Sequence, residues 1–174
     1  MRGQLNLHVK ELEAEKDLRE AMMTVAKRPP PYIDVFEVYS GSSKFTTRCS
    51  KFGLTALEPI DILHGPQHDM TKPANRQTVK TAATRFKPRF IMLGLDCRLY
   101  SMFNHNMNFS GREDLWQQLQ HEQELAVELA YFQLTNDRYF MIENPQRSQL
   151  WCHPAVQELS LDCLLYTSPS PRDA

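Results

Sequence analysis

The chain has 174 residues, of which 41% are hydrophobic and 24% charged, and its formal net charge is −1 at pH 7. This length fits one globular domain, and a net charge near zero excludes bulk attraction to nucleic acid, so such a partner needs a local basic patch. The sequence contains neither an apolar run long enough to span a bilayer nor a signal-peptide core. Its 4 cysteines include no Cys-x-x-Cys pair, so we expect no metal site, no disulfide framework and an intracellular, reducing location.

Residues 1–31 are predicted to precede the main domain. Apolar side chains fall near one face of a predicted helix over residues 8–27. The prolines at 29–31 stop that helix and stiffen the entry to the domain, which we assign to residues 32–162.

Residues 35–43 are predicted to form a buried strand that enters a tight turn of small residues. A helix is predicted from Lys44 to Phe52, with Gly53 as its left-handed cap. Strand, small-residue turn and helix are how an open α/β sheet begins a nucleotide or cofactor site. A small residue lets the backbone approach the ligand, and the helix N-terminus offers free N–H groups.

A second strand is predicted over residues 54–62, and Pro59 places it at a sheet edge or strand end. Asp61 follows Gly41 by twenty positions, the approximate spacing at which such folds hold a ribose hydroxyl. The alternative is a solvated turn carboxylate, and spacing alone does not decide between the two.

Pro73 is predicted to begin a helix whose inner face carries Val79, Ala83 and Phe86. Residues 89–95 form the most apolar predicted strand. It runs directly into the polar sequence that contains the second cysteine.

Ser110 and Glu113 fit a capping box that opens the longest predicted helix, which ends at Asn136. The polar loop 104–108 before it is typical of an active-site cover. Residues 139–142 are predicted to form another buried strand. One side of the long helix carries Leu115, Leu119, Ala126, Leu129 and Gln133.

Three of the predicted strands end in candidate functional residues. In a parallel sheet with helical crossovers, the C-terminal ends of the strands share one edge, and ligands bind there. Gly41, Cys97 and Glu143 should therefore converge. The sequence predicts an α/β domain with a doubly wound, mostly parallel, Rossmann-like sheet.

The chain carries, in order, the motifs Glu37-x-Tyr39-x-Gly41, Cys97 with Ser101, and Glu143-Asn144-Pro145. In their order and spacing they resemble the catalytic domain of cytosine-5 DNA methyltransferases, and more closely its divergent relatives in large eukaryotic and viral proteins. The resemblance covers roughly Asp34 to Trp151. It implies the class I methyltransferase fold, S-adenosylmethionine as cofactor, DNA as substrate and a nuclear location.

The resemblance also implies roles for single residues. Asp61 would bind the ribose and Asp69 would lie beside the adenine. The implied cofactor-binding residues are Glu37, Tyr39, Ser40, Gly41, Ser42, Asp61 and Asp69. Those from the first turn surround the methionine part of the cofactor.

Cys97 would be the nucleophile that attacks carbon six of a cytosine flipped out of the stack, and Glu143 the carboxyl group that contacts the ring nitrogen. The chain departs from the family pattern at three positions. Ser43 replaces a second glycine, Asp96 replaces the proline before the cysteine, and Pro145 replaces a valine. A carboxylate beside the thiol opposes formation of the thiolate.

Other interpretations remain open. Cys97 also fits a buried structural cysteine, and Glu143 a surface carboxylate or helix cap. A catalytically degenerate domain would serve as a nucleic-acid- or protein-binding module. A phosphate-binding loop at Gly41 lacks the glycine before Lys44 and the hydroxyl after it.

The last residues, 163–174, do not continue the α/β pattern. They resemble the translation of a sequencing adapter, so we exclude them from the fold prediction. We expect the natural protein to continue beyond about Asp162 as part of a larger polypeptide.

Overall fold

The computed structural model describes residues 33–97 and 113–162. In these ranges the chain forms a three-stranded parallel sheet in the order β1–β2–β3, with four helices, which confirms the predicted α/β class. The strands are β1 Val35–Val38, β2 Phe90–Gly94 and β3 Tyr139–Glu143. The helices are α1 Lys44–Lys51, α2 Pro73–Phe86, α3 Glu113–Leu134 and α4 Pro154–Asp162.

Several predicted features lie outside the described residues. These are the N-terminal segment, Ser101, the loop 104–108, Ser110 of the capping box and the tail 163–174. In the part of the chain that is described, no helix has the length and apolar character needed to cross a membrane.

The register of the sheet aligns the C-terminal ends of all three strands. Val38 of β1 is opposite Leu93 of β2, and Gly94 of β2 is opposite Glu143 of β3. Side chains of β1 and β2 form the core together with α2 and α3. Because β1 is buried at every position, its sequence is a short, mostly apolar run without alternation.

The predicted second strand, residues 54–62, is wrong in extent. The segment runs beside β1 but meets it only at two isolated parallel bridges, Val35 with Ala56 and Val38 with Ile60. Pro59 has no N–H for a ladder, and a 3₁₀ turn, Ile62–His64, begins directly after Asp61. The expectation that Pro59 marks an edge or a strand end is consistent with this geometry.

Helix α2 begins at Pro73 as predicted, and it buries Val79 and Ala83. The prediction for Phe86 is wrong, since its side chain is 42% exposed. Lys87 takes a left-handed conformation, with φ 50°, and ends the helix at that point. The chain therefore turns toward β2 before Phe86 can pack inward.

Strand β3 occurs where it was predicted but is not buried. Tyr139 is 60% exposed and Met141 42%, whereas Phe140 and Ile142 pack against the core. Successive side chains of a strand point to opposite faces. β3 is also the edge strand of the described sheet, so alternate side chains remain in contact with solvent.

Gln133 on α3 ties the N-terminal ends of β2 and β3 together. Its side chain is fully buried, and Nε2 donates to the carbonyl oxygens of Pro88, at 3.1 Å, and Tyr139, at 2.7 Å. An amide at this position donates hydrogen bonds to buried main-chain acceptors, which a leucine cannot do.

Candidate functional site

A cleft of about 540 Å³ lies at the C-terminal edge of the sheet. Its wall combines the turn after β1, the segment that follows Pro59, the end of β2 and the N-terminal half of α3. This is the edge at which open α/β sheets bind ligands. The described residues that line it include Tyr39, Gly41, Asp61, Asp69, Asp96, Cys97 and Glu122.

The turn after β1 has an unusual backbone. Tyr39, Gly41 and Ser43 have φ angles of 59°, 52° and 54°. Left-handed backbone is easy for glycine but costs about 1 kcal/mol at the other two positions. A hydrogen bond of 2.8 Å from the Ser43 N–H to the Ser40 carbonyl oxygen closes the turn. The strained turn places Tyr39 and Gly41 in the cleft wall.

Asp61 connects this turn to the 3₁₀ turn Ile62–His64. Its Oδ2 accepts a 2.7 Å hydrogen bond from the Gly41 main chain. Its Oδ1 accepts one of 2.9 Å from the Leu63 main chain and so caps the 3₁₀ turn. Each carboxylate oxygen retains a second lone pair, so Asp61 can still accept a hydroxyl group from a ligand.

Asp69 is held in a fixed orientation on the same wall. Its Oδ1 accepts hydrogen bonds from the Thr71 hydroxyl, at 2.6 Å, and the Thr71 main chain, at 3.0 Å. The Thr71 hydroxyl is the main reason why the pKa of Asp69 lies below its ordinary value. The group is therefore a charged acceptor at neutral pH.

The remaining residues implied for the cofactor do not line the cleft. Glu37 is buried below it, and its Oε2 accepts a 2.8 Å hydrogen bond from the Thr46 main chain in the first turn of α1. Ser40 Oγ lies 3.2 Å from Ser43 Oγ. Ser42 is exposed and is not part of the cleft lining. The position of Glu37 is that of a helix cap, which stabilises free N–H groups of α1.

Cys97 follows β2 and lies in the cleft wall beside Asp96, and its side chain is exposed. The predicted convergence is therefore found for Gly41 and Cys97. Glu143 lies at the end of the neighbouring strand, exposed and outside the cleft lining. The adjacent Asn144 is buried and donates a 3.0 Å hydrogen bond to the Leu95 carbonyl oxygen, which holds the end of β3 against the end of β2.

Sequence reasoning missed Glu122, which lines the cleft from α3. The residue is only 5% exposed, and Oε1 accepts a 3.0 Å hydrogen bond from Gln118, one helical turn earlier. Burial is the main reason why the pKa of Glu122 rises to about 7. A signal was present, because Glu122 interrupts the helical stripe that Leu119, Ala126 and Leu129 continue.

The charges of the lining restrict the ligand. Four carboxyl groups line the cleft, and no Lys or Arg is among its described lining residues. Among the described residues there is also no cluster of three or more His, Cys, Asp or Glu able to hold a metal ion. Such a wall favours a ligand with hydroxyl groups, N–H donors or positive charge, and it disfavours phosphates.

Comparison with protein-family models, curated proteins and solved structures finds no match to this chain. The functional conclusion therefore depends on the residues and the geometry of the cleft.

Proposed function

We propose that this domain binds S-adenosylmethionine and has the doubly wound sheet of class I methyltransferases. The observation that supports it most is the link between Gly41 and Asp61 in a carboxylate-lined cleft at the C-terminal edge of a parallel sheet. S-adenosylmethionine has two ribose hydroxyls, an α-ammonium group and a sulfonium. Each of these groups can find an acceptor or a negative charge in such a wall.

We propose a separate role in cofactor binding for each of the lining residues. The left-handed turn at Tyr39 and Gly41 lets the main chain approach the ligand closely. Asp61 retains acceptor capacity for the ribose, and Asp69 is a fixed acceptor on the same side. Glu37, Ser40 and Ser42 do not line the cleft, so we propose that their contribution to cofactor binding is indirect.

We propose methyl transfer to carbon five of cytosine in DNA as the reaction. Bound S-adenosylmethionine supplies the methyl group. Cys97 is exposed in the same cleft, where its thiolate would add to carbon six of an extruded cytosine and would be expelled once the methylated carbon five has passed its proton to a water molecule. Glu143 would contact the ring nitrogen from the end of the next strand, where its side chain is exposed.

A binding module without activity is the second candidate function, and one observation favours it. Asp96 lines the cleft directly before Cys97, at the position where the family pattern has a proline, so the chain departs from that pattern beside the proposed nucleophile. No observation favours a nucleoside triphosphate site at the same turn, because Lys44 is exposed and is not part of the cleft lining.

Calorimetric titration tests cofactor binding. We expect S-adenosylmethionine and its demethylated product to bind the chain with micromolar dissociation constants. Asp61→Ala should weaken binding about tenfold or more, corresponding to the loss of one hydrogen-bonded charged partner. Glu58→Ala is the matched control, since Glu58 is an exposed acid on the same connection and lies outside the lining.

Two results would contradict the proposal. One is the absence of binding by a sample that circular dichroism shows to be folded. The other is equal affinity in the wild type and in a folded Asp61→Ala variant. Binding without methylation of any cytosine-containing DNA would favour the module over the enzyme.

A further inference from the structure

Glu122 combines burial with an incomplete set of hydrogen bonds. Its side chain is 5% exposed and lines the cleft from α3. Oε1 accepts a hydrogen bond from Gln118, whereas Oε2 is shielded from solvent and lacks a hydrogen-bond partner among the described residues. Burial of a carboxylate oxygen without a hydrogen-bond partner costs free energy. A role in ligand binding at the cleft wall explains why this cost is tolerated better than a purely structural role does.

The groups that face Glu122 from the other walls are mostly acidic. Burial is the largest cause of the raised pKa of Glu122; the negative charges of Asp96 and Asp61 add to it, whereas the Gln118 side chain and the Asp96 main chain lower it. Tyr39, His68, Asp69 and Cys97 are the other titratable groups of the lining. His68 is buried, with Nδ1 3.4 Å from the Asp61 main-chain nitrogen. No Lys or Arg among the described lining residues neutralises this wall.

We propose that Glu122 is a ligand-binding carboxylate that gives the cleft its preference for a positively charged ligand over an uncharged analogue of the same shape. This inference deepens the proposed function, on which it rests for the identity of the ligand. The sulfonium and ammonium groups of S-adenosylmethionine are cations of the required class. A cation bound in the cleft against Glu122 offsets its buried negative charge and lies in the field of two further carboxylates.

Binding of a cation in the cleft should change the protonation of Glu122. A nearby positive charge favours the ionised form of a carboxyl group. Since the pKa of Glu122 without ligand is about 7, the group is only partly ionised at neutral pH. Cation binding should therefore release a fraction of a proton, and affinity should rise with pH between about 6 and 8.

The test compares two ligand pairs in three proteins. The first pair is S-adenosylmethionine and S-adenosylhomocysteine, which differ by one methyl group and one positive charge. The second pair is 5′-amino-5′-deoxyadenosine and adenosine, which lacks the cationic amine. The proteins are the wild type, Glu122→Gln and Glu124→Gln; Glu124 lies on the same helix with 71% of its side chain exposed.

Glu122→Gln keeps the shape of the side chain and removes its charge. We expect it to lower the preference for the cationic member of each pair by about tenfold, whereas Glu124→Gln should leave the preference within about twofold of the wild type. Unchanged preferences in Glu122→Gln would overturn the proposal. A preference that depends on Glu122 but is found only in the adenosine pair would support the proposed role of Glu122. The same result would contradict the methyltransferase function.

A measurement on the wild type alone tests the proposal even if Glu122→Gln does not fold. Calorimetry of the cationic ligands at pH 7, in buffers of different protonation enthalpy, gives the number of protons released on binding. We expect the more positively charged member of each pair to release more of a proton than the other member. Equal proton release by both members of a pair, or no binding of any of the four compounds to folded protein, would overturn the inference.

Discussion

The main-chain N–H of Gly41 donates a 2.7 Å hydrogen bond to Oδ2 of Asp61, twenty residues further along the chain. The Leu63 N–H occupies the other oxygen of the same carboxylate at 2.9 Å. Asp61 thus joins the turn after β1 to the 3₁₀ turn that follows it, both of which line the cleft. The two interpretations of Asp61, ligand acid and turn carboxylate, are therefore compatible, because one side chain holds the turn and lines the cleft.

Asp61→Asn should destabilise the domain by about 1–3 kcal/mol, because an amide cannot accept from both main-chain donors. Urea denaturation followed by circular dichroism measures the change in the free energy of unfolding. Glu58→Gln, an exposed position on the same connection, should change it by less than about 0.5 kcal/mol. A variant at position 61 as stable as the wild type would show that the link contributes nothing.

Gly94→Ala should destabilise the domain by steric conflict. A Cβ at Gly94 would come within 2.9 Å of the Tyr39 carbonyl oxygen, and main-chain atoms cannot move aside easily, so we expect a loss of about 1–3 kcal/mol. Gly53→Ala is the comparison, since Gly53 has open space around it but a φ of 78°. It should cost only about 1 kcal/mol. Thermal denaturation that ranks Gly53→Ala as the more damaging change would contradict the packing at Gly94.

Gln133→Leu should lower the free energy of unfolding by about 1–3 kcal/mol, although leucine is the more hydrophobic residue. The substitution removes a buried side-chain donor to the carbonyl oxygens of Pro88 and Tyr139. Gln120→Leu is the control, at an exposed position on the same helix. Chemical denaturation of both variants measures the change in the free energy of unfolding. A higher value for Gln133→Leu than for the wild type would contradict the predicted role of Gln133.

Glu122 should make the domain less stable as pH rises from about 4.5 to 7. Its pKa is about 7 in the folded protein, compared with an ordinary value of 4.5. The folded state therefore binds more protons than the unfolded state in this window, and the free energy of unfolding falls by up to about 3 kcal/mol as pH increases. Asp69 acts in the opposite sense only at more acidic pH, since its pKa is lowered.

Denaturation at pH 5.5 and pH 7.5 measures this contribution. The difference in stability between the two values should be smaller in Glu122→Gln than in the wild type, because glutamine does not titrate. Glu124→Gln should retain the wild-type difference. Parallel pH profiles for the wild type and Glu122→Gln would mean that Glu122 ionises with an ordinary pKa.

Cys97→Ala should abolish methylation of DNA because it removes the proposed nucleophile. The affinity for S-adenosylmethionine should stay within about twofold of the wild type, because Cys97 is not among the residues proposed to bind the cofactor. Methyl transfer from radiolabelled cofactor and calorimetry measure the two properties separately. Cys152→Ala is a control at another exposed cysteine. Methylation retained by Cys97→Ala would exclude the covalent mechanism.

Local sequence signals predicted most of the elements. Pro73 at the start of α2 and Gly53 after α1 act through the conformation of their own backbone. The apolar run of β2 has the composition of a buried strand. Such features depend on a few neighbouring residues, so the amino-acid sequence by itself determined the α/β order and the edge at which Gly41 and Cys97 meet.

Only the tertiary structure decided which side chains those elements bury. The segment before Ile62 makes two bridges in place of a full strand, and the exposure of β3 depends on its edge position in the described sheet. Glu122 belongs to a stripe that the sequence marks as inward-facing, but its place beside Asp61 and Asp96 follows from the packing of α3 over the sheet. Burial and electrostatic interaction depend on residues far apart in the chain, and for this reason local patterns did not predict them.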